Sequence, residues 1–271
     1  MSSSDVPSTL PRIGYSLGVA VGMWLLYSAV TLSIQISSGI SYLDWFATAD
    51  NAWRTAVIPL LIGAVVLGAF TLWSRWSHLW REPVRLHTTT TMKIAMALWI
   101  VAIVARLVGV RWADVPTDLL VAILLTGVLV GFAEEVLFRG IVLRSLRHGG
   151  RSEASAAIWT GVWFGLFHAP NMWMGTGWIG GLQIVLAALM GIVLYVFRRH
   201  FGLLWPAMLA HGAWDISVFL GERYSRTGWD IALLSMQLTV MAAAVAVYVS
   251  LVRQDRRTVV LPAAERGFSG V

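Results

Sequence analysis

Apolar runs of about 20 residues alternate with short polar breaks along this chain. A run of that length, rising about 1.5 Å per residue, crosses the hydrocarbon core of a bilayer as an α-helix. Eight runs qualify, at about 13–35, 55–74, 93–110, 118–146, 154–171, 179–197, 202–220 and 230–252. They predict an all-α polytopic membrane protein, a bundle of eight transmembrane helices. The fourth run is too long for a perpendicular crossing, so it is expected to tilt or to extend into the cytoplasm. The first does not read as a cleaved signal peptide. Arg12 precedes it without a basic n-region, and its apolar stretch is too long. Residues 1–12 and 254–271 read as short cytoplasmic tails, and 13–253 as one eight-span membrane domain with its chemistry at about 118–220.

Composition narrows the class. Of 271 residues 58% are hydrophobic and only 13% charged, against about 25% charged in an average soluble domain. That share cannot coat a soluble surface, so a soluble enzyme, a disordered chain and a fibrous repeat are disfavoured together. Cysteine is absent, which removes disulfides, thiolate metal sites and a Cys nucleophile.

Lys and Arg outnumber Asp and Glu by 20 to 14, and their placement sets an orientation. With the N-terminus in the cytoplasm, the cytoplasmic segments hold 14 basic residues: Arg12, Arg75, Arg81, Arg85, Lys93, Arg144, Arg147, Arg151, Arg198, Arg199, Arg253, Arg256, Arg257 and Arg266. The opposite side holds 5: Arg54, Arg106, Arg111, Arg223 and Arg226. Both termini are therefore expected in the cytoplasm. The bias accounts for the net charge with no nucleic-acid partner. Ten tryptophans, among them Trp45, Trp80, Trp112, Trp173 and Trp178, fall near expected interfaces, where an amphipathic ring is favoured.

An ionisable group inside a bilayer costs about 2.5–3.5 kcal/mol or more on insertion scales, so those within spans mark function by default. Here they are Glu134, Glu135, Arg139, His168, His211, Asp215 and Arg106. Glu135 and Arg139 stand four apart on one helix face and can neutralise each other. Glu134 points about 100° away and lacks that partner. Phe164 and His168 are four apart, as are His211 and Asp215. Each feature has a structural reading: an ion pair fixing a helix, a core Phe, a satisfied core His, a polar clasp within one helix. Arg106, near a span end, can snorkel to the interface. Together, a glutamate without a partner, two histidines and an aspartate in neighbouring spans are costly for packing alone. The uncharged, glycine-rich stretch Asn171 to Trp178 reads as a short loop or a gate near His168.

These residues resemble the motifs of the CAAX-protease and bacteriocin-processing family, CPBP or Abi. That family is marked by E-E-x-x-x-R, F-x-x-x-H and H-x-x-x-N/D in order. Here they stand as Glu134, Glu135 and Arg139; Phe164 and His168; His211 and Asp215. The resemblance covers roughly residues 118–220. It implies an eight-helix intramembrane bundle that hydrolyses peptide bonds of membrane-associated proteins or peptides. Its eukaryotic branch trims prenylated C-terminal CAAX tails, and its bacterial members are linked to bacteriocin maturation or self-immunity. A multi-pass protein of a bacterial plasma membrane is expected.

Peptide hydrolysis needs a nucleophile, a base and oxyanion stabilisation. With no Cys, and no Ser beside a motif histidine in sequence, water is the expected nucleophile and Glu134 its base. The resemblance implies water activation by Glu134 and His168, with His211 and Asp215 binding a metal or stabilising the oxyanion. In a metal version, His168, His211, Glu134 and Asp215 hold a divalent ion, expected to be zinc. In a metal-free version, Glu134 and His168 act as a base pair and His211 donates to the oxyanion. Asp215 could orient His211 through a ring nitrogen. Glu135, Arg139 and Phe164 are expected to support the catalytic group from behind. Two other functions remain open: a proton-coupled transporter or channel using the same Glu/His/Asp cluster, and a non-catalytic membrane scaffold.

Overall fold

The computed structural model describes residues 10–260. Eight helices form, and no named strand occurs among the described residues. In chain order they are α1 (Leu17–Ser37), α2 (Ala49–Ser74), α3 (Thr90–Gly109), α4 (Thr117–His148), α5 (Glu153–Phe167), α6 (Ile179–Phe201), α7 (Trp205–Tyr224) and α8 (Asp230–Val260). Six are long and apolar enough to cross a membrane: α1, α2, α3, α4, α6 and α8. The two that fall short are those carrying site histidines. α5 has only 15 residues, and α7 spends hydropathy on His211, Asp215, Glu222 and Arg223. The fifth expected run stops as a helix at Phe167 and continues as a tighter turn over Ala169–Met172. The polar tails expected at the two ends lie largely outside the described residues, as does Arg266, although α8 runs on to Val260.

Local chemistry sets the helix ends. Ser16, Thr48, Thr89 and Ser152 each accept a hydrogen bond from a backbone N–H of the first turn that follows. Gly202 closes α6 in the left-handed region at φ 68. Two helices pass through a π-helical turn, α2 at Trp53–Val57 and α4 at Val136–Val142. Such turns rotate every later side chain relative to an unbroken α-helix.

The chain threads up and down between two faces. On the face of the termini, Arg12 N–H donates to Ser74 O (3.0 Å), Glu82 N–H to Gly202 O (2.8 Å) and Leu86 N–H to Arg199 O (2.9 Å). On the opposite face, Tyr42 N–H donates to Met174 O (2.7 Å), Arg111 N–H to Tyr224 O (2.8 Å) and Arg226 N–H to Gly109 O (2.9 Å). The connections of each face are thus tied to one another.

The site lies where α4, α5, α6 and α7 pack. α4 and α7 touch backbone to backbone. A Cβ at Gly131 would run into the carbonyl oxygen of Met208, and one at Gly212 into the carbonyl oxygen of Gly127. α3 braces α7 from the other side. Trp99 donates from Nε1 to Ala210 O (2.9 Å), and its ring stacks on Trp214 with centroids 4.1 Å apart.

Gly131→Ala is expected to lower stability by about 1–3 kcal/mol through overpacking, read as a fall in Tm in detergent. Gly68→Ala, where an added Cβ meets nothing within 4 Å, is the control and is expected to leave Tm in place. Equal Tm values for the two variants would show that the α4–α7 approach carries no such constraint.

Candidate active site

α4 carries two adjacent carboxylates with different surroundings. Glu135 is fully buried and accepts from Arg139 Nη1 at 2.7 Å, also fully buried. The expected i,i+4 pair forms although the intervening residues are π-helical. Arg139 also donates from Nη2 to the backbone oxygen of Gly191 on α6 (3.1 Å), and its guanidinium lies 4.6 Å from the centroid of the Phe164 ring. Glycine at 191 permits this. A Cβ there would stand 2.7 Å from Gly161 Cα and 3.2 Å from Arg139 Nη2. One guanidinium therefore joins α4, α5 and α6.

His211 on α7 meets the same carboxylate. Its Nδ1 lies 2.9 Å from Glu135 Oε1. A carboxylate accepts, so Nδ1 carries the hydrogen of this bond. Glu135, and not Asp215, thus orients the ring through Nδ1. The Nε2 edge faces Asp215 Oδ2 at 3.7 Å and Glu134 Oε2 at 3.9 Å. Asp215, expected to orient His211 through a ring nitrogen, lies on the Nε2 edge, opposite the Nδ1 edge that Glu135 holds. Glu134 Oε2 is buried and has no hydrogen-bond partner among the described residues, so this oxygen is free for a polar guest.

His168 ends α5 and is held by its own helix. Its Nδ1 is 2.9 Å from Phe164 O. A carbonyl only accepts, so Nδ1 is the donor. In the neutral ring Nε2 is then left as an acceptor. Phe164 packs edge-on against both histidines, with centroid distances of 5.0 Å to His168 and 5.3 Å to His211. The three expected motifs therefore meet at one place, with Phe164 as the wedge between the rings.

Two cavities adjoin there. The larger, about 650 Å³, is lined by His168, His211, Asp215, Phe164 and Arg106. The smaller, about 90 Å³, is lined by Glu134, His168, Asp215, Tyr27 and Trp45. His168 and Asp215 line both. The small cavity has room for water, and the Tyr27 hydroxyl and Trp45 Nε1 also lack partners among the described residues. Sequence reading missed Tyr27, since a single aromatic in an apolar span gives no signal, and gave Trp45 only a place near an interface.

Arg106 does not snorkel to an interface. It is buried, its guanidinium lies 4.1 Å from the Trp214 ring centroid, and Nη2 donates to Gln237 Oε1 at 2.5 Å. The glycine-rich stretch after His168 is a tied loop. Asn171 donates to Gln183 (3.0 Å), and Gln183 to the Tyr42 hydroxyl (3.0 Å). Trp173 and Trp178 are exposed.

Of the expected zinc ligands, His211 has Nδ1 taken by Glu135, which leaves Nε2 as its open ring nitrogen, with oxygens of Asp215 and Glu134 at 3.7 and 3.9 Å from it. Among the described residues, no group of three or more His, Cys, Asp or Glu side chains is placed to hold a metal ion. The donors instead surround a space lined by Glu134 Oε2 and His168, suited to a hydrogen-bonded water.

Removing the cation should expose the dependence on Arg139. Arg139→Gln leaves Glu135 buried without a counter-ion, at an expected cost of about 3–5 kcal/mol, measured by denaturant unfolding in micelles. Unchanged stability would mean that the pair does not hold α4 to its neighbours.

No curated protein matches the chain. Residues 116–217, from the start of α4 into α7, match the family model described as type II CAAX prenyl endopeptidase Rce1-like. That segment contains all three motifs and every residue of the Glu134, Glu135, Arg139, Phe164, His168, His211 and Asp215 cluster. It is on this match that the chain is assigned an Rce1-like CAAX endopeptidase domain, consistent with the CAAX-protease and bacteriocin-processing family.

Proposed function

We propose that the protein is an intramembrane endopeptidase that uses a water molecule activated by Glu134 and His168. The observation that carries this reading is the buried, unpartnered Glu134 Oε2 beside the His211 Nε2 edge and the His168-lined cavities. Glu134 takes a proton as the water oxygen attacks the scissile carbonyl carbon. His168 Nε2, the ring's free acceptor, holds the water from the second side. The carbonyl π electrons move to oxygen, and His211, in this reading an imidazolium held among the carboxylates of Glu135, Asp215 and Glu134, donates its Nε2–H to the oxyanion. Collapse of the tetrahedral intermediate breaks the C–N bond, and the proton held by Glu134 passes to the leaving nitrogen.

Asp215 sits on the working edge of His211. Its part is to keep the Nε2 proton turned toward the site. Glu135 fixes the opposite edge, so the ring is held from both sides. No step runs through a metal ion in this reading, in which the donors hold a water molecule. All eight helices are read as crossings of a bacterial plasma membrane, with both termini cytoplasmic on the charge bias. Substrates are membrane-associated proteins or peptides.

Glu134→Gln keeps the shape and removes the base. It is expected to lower kcat by roughly 10²–10⁴-fold with Tm maintained, measured on a peptide whose cleavage the wild-type protein supports. Wild-type turnover in this variant would end the proposal. Exhaustive chelation is expected to leave the wild-type rate unchanged. Loss of activity restored by one added divalent ion would replace the metal-free mechanism.

A further inference from the structure

The site has an open side and a closed side. The larger cavity is lined by Phe164, His168 and His211 and also by Tyr42, Thr176 and Asp230. Those last three belong to the α1–α2, α5–α6 and α7–α8 regions at the face opposite the termini. No residue of the connections on the termini face lines the cavity.

Toward the termini the structure is sealed. Arg198, fully buried, donates to the backbone oxygens of His78, Leu79 and Trp80 at 2.9–3.1 Å. Arg199 donates to Val84 O (2.7 Å) and to Glu153 Oε1 (2.6 Å). Glu82 bridges the two arginines at 3.4 and 3.2 Å. The α2–α3 connection is thereby bound across the end of α6. Passage from this side would break a buried ionic network as well as backbone contacts.

The open side is also apolar on its outer surface. Ile179 and Leu182 on α6, with Leu234 on α8, line the cavity and are 78%, 58% and 60% exposed. Apolar side chains that are both cavity wall and outer surface form a lateral rim suited to an apolar segment arriving through the bilayer. The nearby indoles of Trp173 and Trp178, 82% and 91% exposed, suit the level where lipid headgroups begin. The termini face is bordered by Arg75, Arg81, Arg85, Lys93, Arg147 and Arg151, the side that the positive-inside rule assigns to the cytoplasm.

We propose that the site takes its substrates from the extracytoplasmic half of the membrane: an apolar segment of an exported or membrane-inserted polypeptide, entering between α6 and α8. This rests on the peptidase reading and narrows it. A lipidated tail presented from the cytoplasm would meet the sealed end of the bundle.

The cysteine-free chain makes the test direct. Leu43→Cys reports the open face and Val84→Cys the sealed one, and both side chains are exposed. In intact cells a membrane-impermeant maleimide is expected to label Leu43→Cys alone, and both after permeabilisation. Labelling of Val84→Cys alone, or of both, in intact cells overturns the proposal. C-terminal fusions give a second measurement: a fluorescent protein that matures only in the cytoplasm is expected to glow, and activity of a fused periplasmic phosphatase would overturn the orientation. Cleavage sites of substrates that accumulate in Glu134→Gln cells are expected in extracytoplasmic or outer-leaflet segments, and sites in cytoplasmic tails would overturn it. Topology is read without turnover. A reversed orientation therefore defeats this proposal and spares the peptidase reading, whereas an inactive protein with the expected labelling defeats the peptidase reading.

Discussion

The buried pair of Glu135 and Arg139 is the constraint on which the site depends. Its two charges are fully buried, so neither can be left alone without a large desolvation cost. Each partner also reaches another helix, although Glu135 Oε2 and Arg139 Nε have no hydrogen-bond partner among the described residues. Glu135 takes His211 of α7, and Arg139 takes the backbone of α6 and the ring face of Phe164 on α5. Four helices are thereby referred to one carboxylate. Glu134, the preceding residue, makes no hydrogen bond to this network through Oε2, which stands 3.9 Å from His211 Nε2.

This arrangement separates two demands that one carboxylate could not meet. A group that holds a cation and a histidine is not available as a base. A group available as a base must go without strong partners, which is unfavourable in a dry interior. Adjacent glutamates divide these duties. The division is possible because neighbouring residues on a helix point about 100° apart.

Much of this was legible in the chain. Eight apolar runs became eight helices, and the three four-residue spacings brought their residues to one place. Four-residue spacing reports a shared helix face, and that information is local. Partnerships between helices were not legible. Nothing in the sequence says that His211 turns Nδ1 to Glu135 and leaves Asp215 at the other edge, because that choice depends on how α4 and α7 approach at Gly131 and Gly212. Arg106 went the same way. Its position near a span end suggested an interface, but Trp214 and Gln237 offered it a place inside. The place of Tyr27 and Trp45 beside Glu134 was invisible because it comes from the small cavity that the three share.

The shortness of α5 bears on how hydrolysis can take place in a membrane at all. Its 15 residues rise about 22 Å, against a hydrocarbon core of roughly 30 Å. On the proposal that all eight helices cross the membrane, a helix that short would leave a hydrophobic mismatch, which lipids meet by thinning around it. His168 stands at the short end, so the local water boundary would be drawn down toward the histidine. The enzyme would then bring the aqueous phase to the scissile bond through the deformed bilayer, and its rate would be tuned by the acyl-chain length of the lipids around α5.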